Sequence, residues 1–178
     1  MEAQVRAGLS ARLSAYQAQG LAGIAPYARA DGKTRSAADE IRTASLASKA
    51  LQSHAPAAYQ LLFDYPKAKP AGSVESFRWT QLDAHGVPTI ALTHVLLVPD
   101  GEAWIAVHRQ IYVSTGYNSE QAVAALLPDA KGTLVVYANR TSTDQVTGMG
   151  GGAKRSIGSK LLASQLETLF EKSRAALE

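Results

Sequence analysis

Cysteine is absent from the chain. That excludes disulfides, thiolate metal sites and a cysteine nucleophile, and it leaves the redox compartment open. No apolar run approaches the roughly 18 residues that a membrane-crossing helix needs. The opening Met1-Glu2-Ala3-Gln4-Val5-Arg6 has no hydrophobic export core, so nothing in it directs secretion. A chain whose leader had been removed would read the same way, and localisation is left undecided. An excess of one charge is lacking too: 18 Lys and Arg stand against 15 Asp and Glu, a net charge of +3. That mild balance favours solubility and weak attraction to anionic surfaces. It lacks the concentrated basic face of a nucleic-acid binder, so nucleic acid is not expected as a partner.

What is present suffices for a core. Apolar residues make up 46% of the 178 positions, the usual share for a globular domain, and the length fits residues 1–178 as a single domain. Val5, Leu9, Leu13 and Tyr16 recur at helical spacing before Gly20, which predicts a first amphipathic helix. Ser36 and Asp39 form a capping-box pattern that opens a second helix through about Leu51. Pro56 suits the first turn of a third, with Tyr59, Leu62 and Phe63 inward and its end before Pro66. Residues 1–66 therefore read as a helical layer. The stretch Lys67 to Ser73 separates it from residues 74–178, where the period changes to two.

Strands are expected from Val74 to Leu82, from Thr89 to Val98, from Ala103 to Thr115 and from Thr133 to Thr141. Pro99-Asp100-Gly101-Glu102 supplies the turn of a hairpin. In the third of these strands, Ile105, Val107, Arg109, Ile111 and Val113 alternate with Trp104, Ala106, His108, Gln110, Tyr112 and Ser114. Ser119 to Leu127 reads as a short helix capped by Asn118 or Ser119 and stopped by Pro128. At the end of the chain, Ile157, Leu161, Leu162, Leu166, Leu169 and Phe170 form an apolar stripe on a long helix. The expected fold is α+β: a curved antiparallel sheet packed on this C-terminal helix and preceded by the helical third.

The glycine-rich run Gly148 to Arg155 departs from a phosphate-binding P-loop, because Ala153 and Arg155 replace the second glycine and the Ser or Thr. It reads as a hinge, with Lys154 and Arg155 as candidate contacts for a phosphate or headgroup at a helix start. His94, between Leu92 and Leu96, reads as a core histidine with a hydrogen-bond partner, or else as a group that orients a ligand. Trp104, His108, Gln110 and Tyr112, with Tyr137 and Asn139, mix aromatic and hydrogen-bonding groups in the manner of a pocket lining. The open face of a sheet has the same mixture. Arg78 and Arg109 interrupt packable faces, so each reaches outward or pairs with a ligand carboxylate. No close-spaced ligand pair suggests a metal, no nucleophile elbow is present, and no cofactor is implied.

The runs Pro88 to Val95, Arg109 to Ser114, Val136 to Arg140 and Gly148 to Ile157 resemble a group of bacterial proteins of uncharacterised function. There the pattern sits near the C-terminus of a longer, often exported precursor. The order of strands, glycine-rich loop and closing helix is also similar to the second half of START-like (SRPBCC, helix-grip) domains. That resemblance covers about residues 74–178 and carries no catalytic motif. It implies a cavity for an apolar or amphipathic small molecule. The leading expectation is a lipid-like ligand held in a sheet–helix cavity by Trp104, His108, Gln110, Tyr112, Tyr137 and Asn139, with His94 orienting it. The alternatives are an enzyme of the same fold using His108 or His94 as general base, and an interaction domain whose helical third docks on a protein partner.

Overall fold

The computed structural model describes residues 2–28, 32–84, 86–143, 163–164, 166–168, 170–172 and 174–175. The chain divides into two compact units, Met1–Ser142 and Thr143–Glu178. In the first unit, helix α1 (Glu2–Gln19) leads through a 3-10 turn at Gly20–Gly23 into a two-residue ribbon, β1 (Tyr27–Ala28) with β2 (Thr34–Arg35). Helices α2 (Ala37–Leu46), α3 (Lys49–His54) and α4 (Pro56–Asp64) follow. Five strands complete the unit: β3 (Val74–Ala84), β4 (Val87–Asp100), β5 (Ala103–Val113), β6 (Ser119–Asp129) and β7 (Gly132–Ser142). They form one antiparallel sheet in the order β3-β4-β5-β6-β7, each strand beside its neighbour in the sequence.

The helix signals act as their chemistry requires. Ser36 caps α2, its hydroxyl oxygen accepting from the Asp39 backbone N–H at 3.2 Å, and Pro56 occupies the first turn of α4. The helix expected through Leu51 breaks at Ala47 and Ser48 and restarts as α3. Tyr16, Leu61 and Leu62 are fully buried against Leu92, Leu96 and Val107 of the sheet. Val5 in the first half of α1 is 51% exposed, so only the second half of that helix belongs to the core.

Two expectations are corrected. The segment Ser119–Asp129 is strand β6, not a helix. Its backbone pairs with β5 on one side and β7 on the other, and those two ladders outweigh the helical propensity of its alanines. Pro128 is tolerated because it lies beyond Leu126, the last residue paired with β5. The second correction concerns the fold class. The protein is α+β with an antiparallel sheet, but among the described residues no long C-terminal helix is present. The face of the sheet is covered by the helices of the front third, which supply Tyr16, Ile41, Leu51, Leu61 and Leu62 to its core. In the second unit every described residue between 163 and 175 is helical, and Phe170 is 41% exposed. Ile157, Leu161, Leu162 and Leu169 of the expected stripe lie outside the described residues. No helix among the described residues is long and apolar enough to cross a membrane.

Gly20 shows how closely the helical layer is fitted. Its φ is +59°, and a Cβ there would stand 1.9 Å from the Tyr65 carbonyl oxygen. Gly101 has a similar φ of +62° but open space around it. Gly101→Ala is expected to cost about 1 kcal/mol from backbone conformation alone. Gly20→Ala adds a backbone collision and should cost at least about 2 kcal/mol more. Urea unfolding of both variants checks the difference, and equal midpoints would refute the close fit.

Candidate functional site

Two features on the helix-covered face carry chemistry: a buried polar chain and an apolar groove. Both follow from the register. His94 pairs with Arg109, Arg109 with Gln121, and Gln121 with Arg140, so one cross-strand row places four polar side chains on that face.

Arg109 is fully buried. It neither reaches outward nor meets a carboxylate. Its Nε donates to Gln121 Oε1 at 2.9 Å, one terminal nitrogen to the Leu62 carbonyl at 2.9 Å, and the other to the Tyr16 hydroxyl at 3.3 Å. Gln121 Nε2 donates in turn to Ser45 Oγ at 3.0 Å, and that hydroxyl donates to the Ile41 carbonyl at 2.9 Å. Because the Tyr16 oxygen accepts from Arg109, its own hydrogen is available for His94 Nδ1, 2.9 Å away. His94 then carries its proton on Nε2, facing Glu75 Oε2 at 3.2 Å. Glu75 also accepts from Lys69 Nζ at 2.6 Å. Along Arg109, Tyr16, His94 and Glu75 the donors therefore point the same way, from a buried cation to a carboxylate near the surface.

The surroundings fix the protonation states. Burial first, and then the Arg109 charge, lower the His94 pKa to about 4 against the opposing pull of Glu75, so the ring is neutral at pH 7. Burial raises the Tyr16 pKa despite Arg109. Tyr65 is likewise raised, by burial and then by its hydrogen bond to Glu75. Desolvation pulls Glu75 upward, but hydrogen bonds from Lys69 and Tyr65 outweigh it and leave the carboxyl below its usual range. The His94 ring stacks on Phe77 at 4.4 Å between centroids and packs on Tyr65 at 4.6 Å. The array is sealed: Tyr16 and His94 are both 0% exposed, so neither meets a dissolved substrate in this conformation.

The groove lies beside this array, between α3 with its flanking turns and the β5–β7 end of the sheet, and encloses about 360 Å³. Leu51, Ile105, Val123, Ala125, Leu127 and Val136 give it an apolar wall, and Lys49, His54, Asp100 and Arg140 bring charge or polarity to its lining. A wider space of about 700 Å³ sits under the first half of α1, lined by Val5, Arg6, Leu9, Ser10, Trp79, Thr80, Gln81 and Ile90. Half of those side chains are polar, which suits water better than an apolar guest.

The residues singled out in the sequence fall into three places. Trp104, His108, Gln110, Tyr137 and Asn139 share the face opposite the helices, as their register requires. Asn139 Nδ2 donates to Glu120 Oε1 at 2.9 Å and to the Tyr137 hydroxyl at 3.2 Å, and the Tyr117 hydroxyl bonds Gln110. Neither the groove nor the wider space is lined by this group. Tyr112 is parted from it by a bulge: Thr93 pairs with Gln110 but Leu92 with Tyr112. The extra residue, Ile111, reverses the alternation and turns Tyr112 towards Arg12 of α1, 5.0 Å above its ring, and towards Trp79. His94 lies in the core. Lys154 and Arg155 lie outside the described residues.

Sequence reasoning missed Arg109 as a core group and missed the groove altogether. Their signals were faint: an arginine on an apolar face, and alanines in and beside α3 and on β6. Among the described residues no group of three His, Cys, Asp or Glu side chains gathers to hold a metal. Comparison of the chain with family models, with curated proteins and with solved structures finds no match.

The depressed His94 pKa sets a pH dependence. The unfolded ring takes up its proton near pH 6.5, the folded one only near 4. The stability held above pH 6.5 is therefore lost as pH falls toward 4, on the order of 3 kcal/mol. Glu75, lowered as well, adds its loss below the usual carboxylate pKa. His94→Gln should flatten the upper part of this curve in urea titrations between pH 7 and 4. Tyr16→Phe strands a donor of Arg109 and the His94 Nδ1, and should cost about 1–3 kcal/mol at pH 7; an unchanged midpoint would show that the chain is not formed.

Proposed function

We propose that this protein binds an apolar or amphipathic small molecule, lipid-like in character, in the groove between α3 and strands β5–β7. One observation carries the reading: ten of the fifteen lining side chains are apolar, around a volume of about 360 Å³. That size and lining fall within the usual range of small-molecule sites, in which a few polar groups orient a mainly apolar guest. The groove opens beside the β7 edge of the sheet, since among the described residues β7 pairs only with β6 and its Val136 is 53% exposed. A guest can therefore enter without parting the core. Contact with the wall contributes roughly 25 cal/mol per Å² of apolar area buried, less the cost of fixing the guest. The reading rests on the groove and not on the family resemblance.

Nile red, a neutral apolar fluorophore, serves as the probe. The intact protein is expected to bind it with increased emission. Ala138→Trp fills the groove from the edge strand and should abolish binding while far-ultraviolet circular dichroism is retained. Trp104→Ala and His108→Ala, on the opposite face, should leave binding unchanged. Loss of binding in those two variants alone would move the site to the face expected from the sequence. No binding by the wild-type chain would overturn the proposal.

A further inference from the structure

The groove is electrically lopsided along its length. Arg140 pairs with Gln121, whose amide donates to Ser45 at the end of α2. Ala47, Ser48 and Lys49, which follow Ser45 in the chain, therefore line the groove at the Arg140 end. Ile105 pairs with Ala125, and Ala125 with Val136, so the middle of the groove is apolar. Asp100, at the far end of β4, lines the other extremity. Behind the Arg140 end, in the same cross-strand row and two strands away, stands Arg109, about 10 Å distant by strand spacing. Its hydrogen-bond acceptors are all neutral, so its charge adds to that of Arg140 and Lys49. Glu40, an acid on the helix side, is engaged with Asn118 and Ser119 one row further on.

We infer that the groove takes a single-chain amphiphile with an anionic head, the head lying between Lys49 and Arg140 and the chain running toward Leu127. This rests on the groove being the binding site. A guanidinium offers a carboxylate two parallel donors and an ammonium adds a third. Asp100 repels an anion from the opposite end, so the two ends together fix the direction of the guest. A neutral chain of the same length fills the apolar middle but gains nothing from the head position.

The test is displacement of Nile red from the intact protein by dodecanoate, dodecanol and dodecyltrimethylammonium at low salt. Dodecanoate should compete at least about tenfold better than dodecanol, the equivalent of one charge-assisted hydrogen bond, and the cationic chain should compete worst. Arg140→Gln should weaken dodecanoate by about tenfold and leave dodecanol unchanged, with Lys49→Gln giving a smaller change in the same direction. Equal competition by dodecanoate and dodecanol overturns the anionic head and leaves the groove as an apolar site. A preference for dodecanoate that survives both substitutions overturns the placement of the head. Nile red that binds but yields to none of the three chains overturns the amphiphile. Failure of Nile red itself removes the groove reading and this inference with it.

Discussion

A single guanidinium ties the layers of this protein together. Arg109 sits on the central strand and reaches α4 through the Leu62 carbonyl, α1 through Tyr16, and β6 through Gln121. Gln121 extends the tie to α2 through Ser45. Taking such a charge out of water costs several kcal/mol, and neutral acceptors return only part of that. The remainder is supplied by fit. Every buried side-chain nitrogen and oxygen in the described residues has a partner, so the desolvated cation sits in a fully bonded setting. Arginine suits this position where lysine does not, because its planar fork meets acceptors from three different elements at once.

This tie also explains why the helical third lies where it does. Apolar stripes alone let a helix slide or rotate on a sheet at small cost. The contacts of Tyr16 with His94 and Arg109 fix both the rotation and the depth of α1. The helices that cover the sheet also form one wall of the groove, so the placement of α3 beside β5–β7 is inherited from the core. The polar row that locks the layers thus runs out at Arg140, on the rim of the groove.

Much of the architecture was legible in the chain. The capping serine, the proline at the start of α4 and the alternation in β3, β4, β5 and β7 are local signals, and local physics realises them. The misreadings come from non-local effects. β6 carries helix-forming alanines and becomes a strand because two neighbours supply its hydrogen bonds. Tyr112 was read with Trp104 and His108 because strict alternation cannot anticipate the extra residue at Ile111. The aromatic and polar face, which the sequence offered as a pocket lining or an open sheet face, is the side of the sheet away from α1–α4. The groove leaves a different trace. It comes from small side chains, Ala47, Ala50, Ala55, Ala125 and Ala138, and a shortage of volume has no motif. Arg109 was noticed as an interruption, but its partners lie up to 93 residues away, beyond the reach of any spacing rule.

The meander has a kinetic consequence. Each strand of the sheet lies beside its sequence neighbour, so the ladder can grow hairpin by hairpin, with little loop entropy lost at each step. The bond between Tyr16 and His94 closes a separation of 78 residues. The sheet is thus cheap to begin and the docking of α1 expensive, and a nascent chain emerges in the opposite order, helices first. The front third must wait until β4 and β5 exist before its tyrosine has anything to hold.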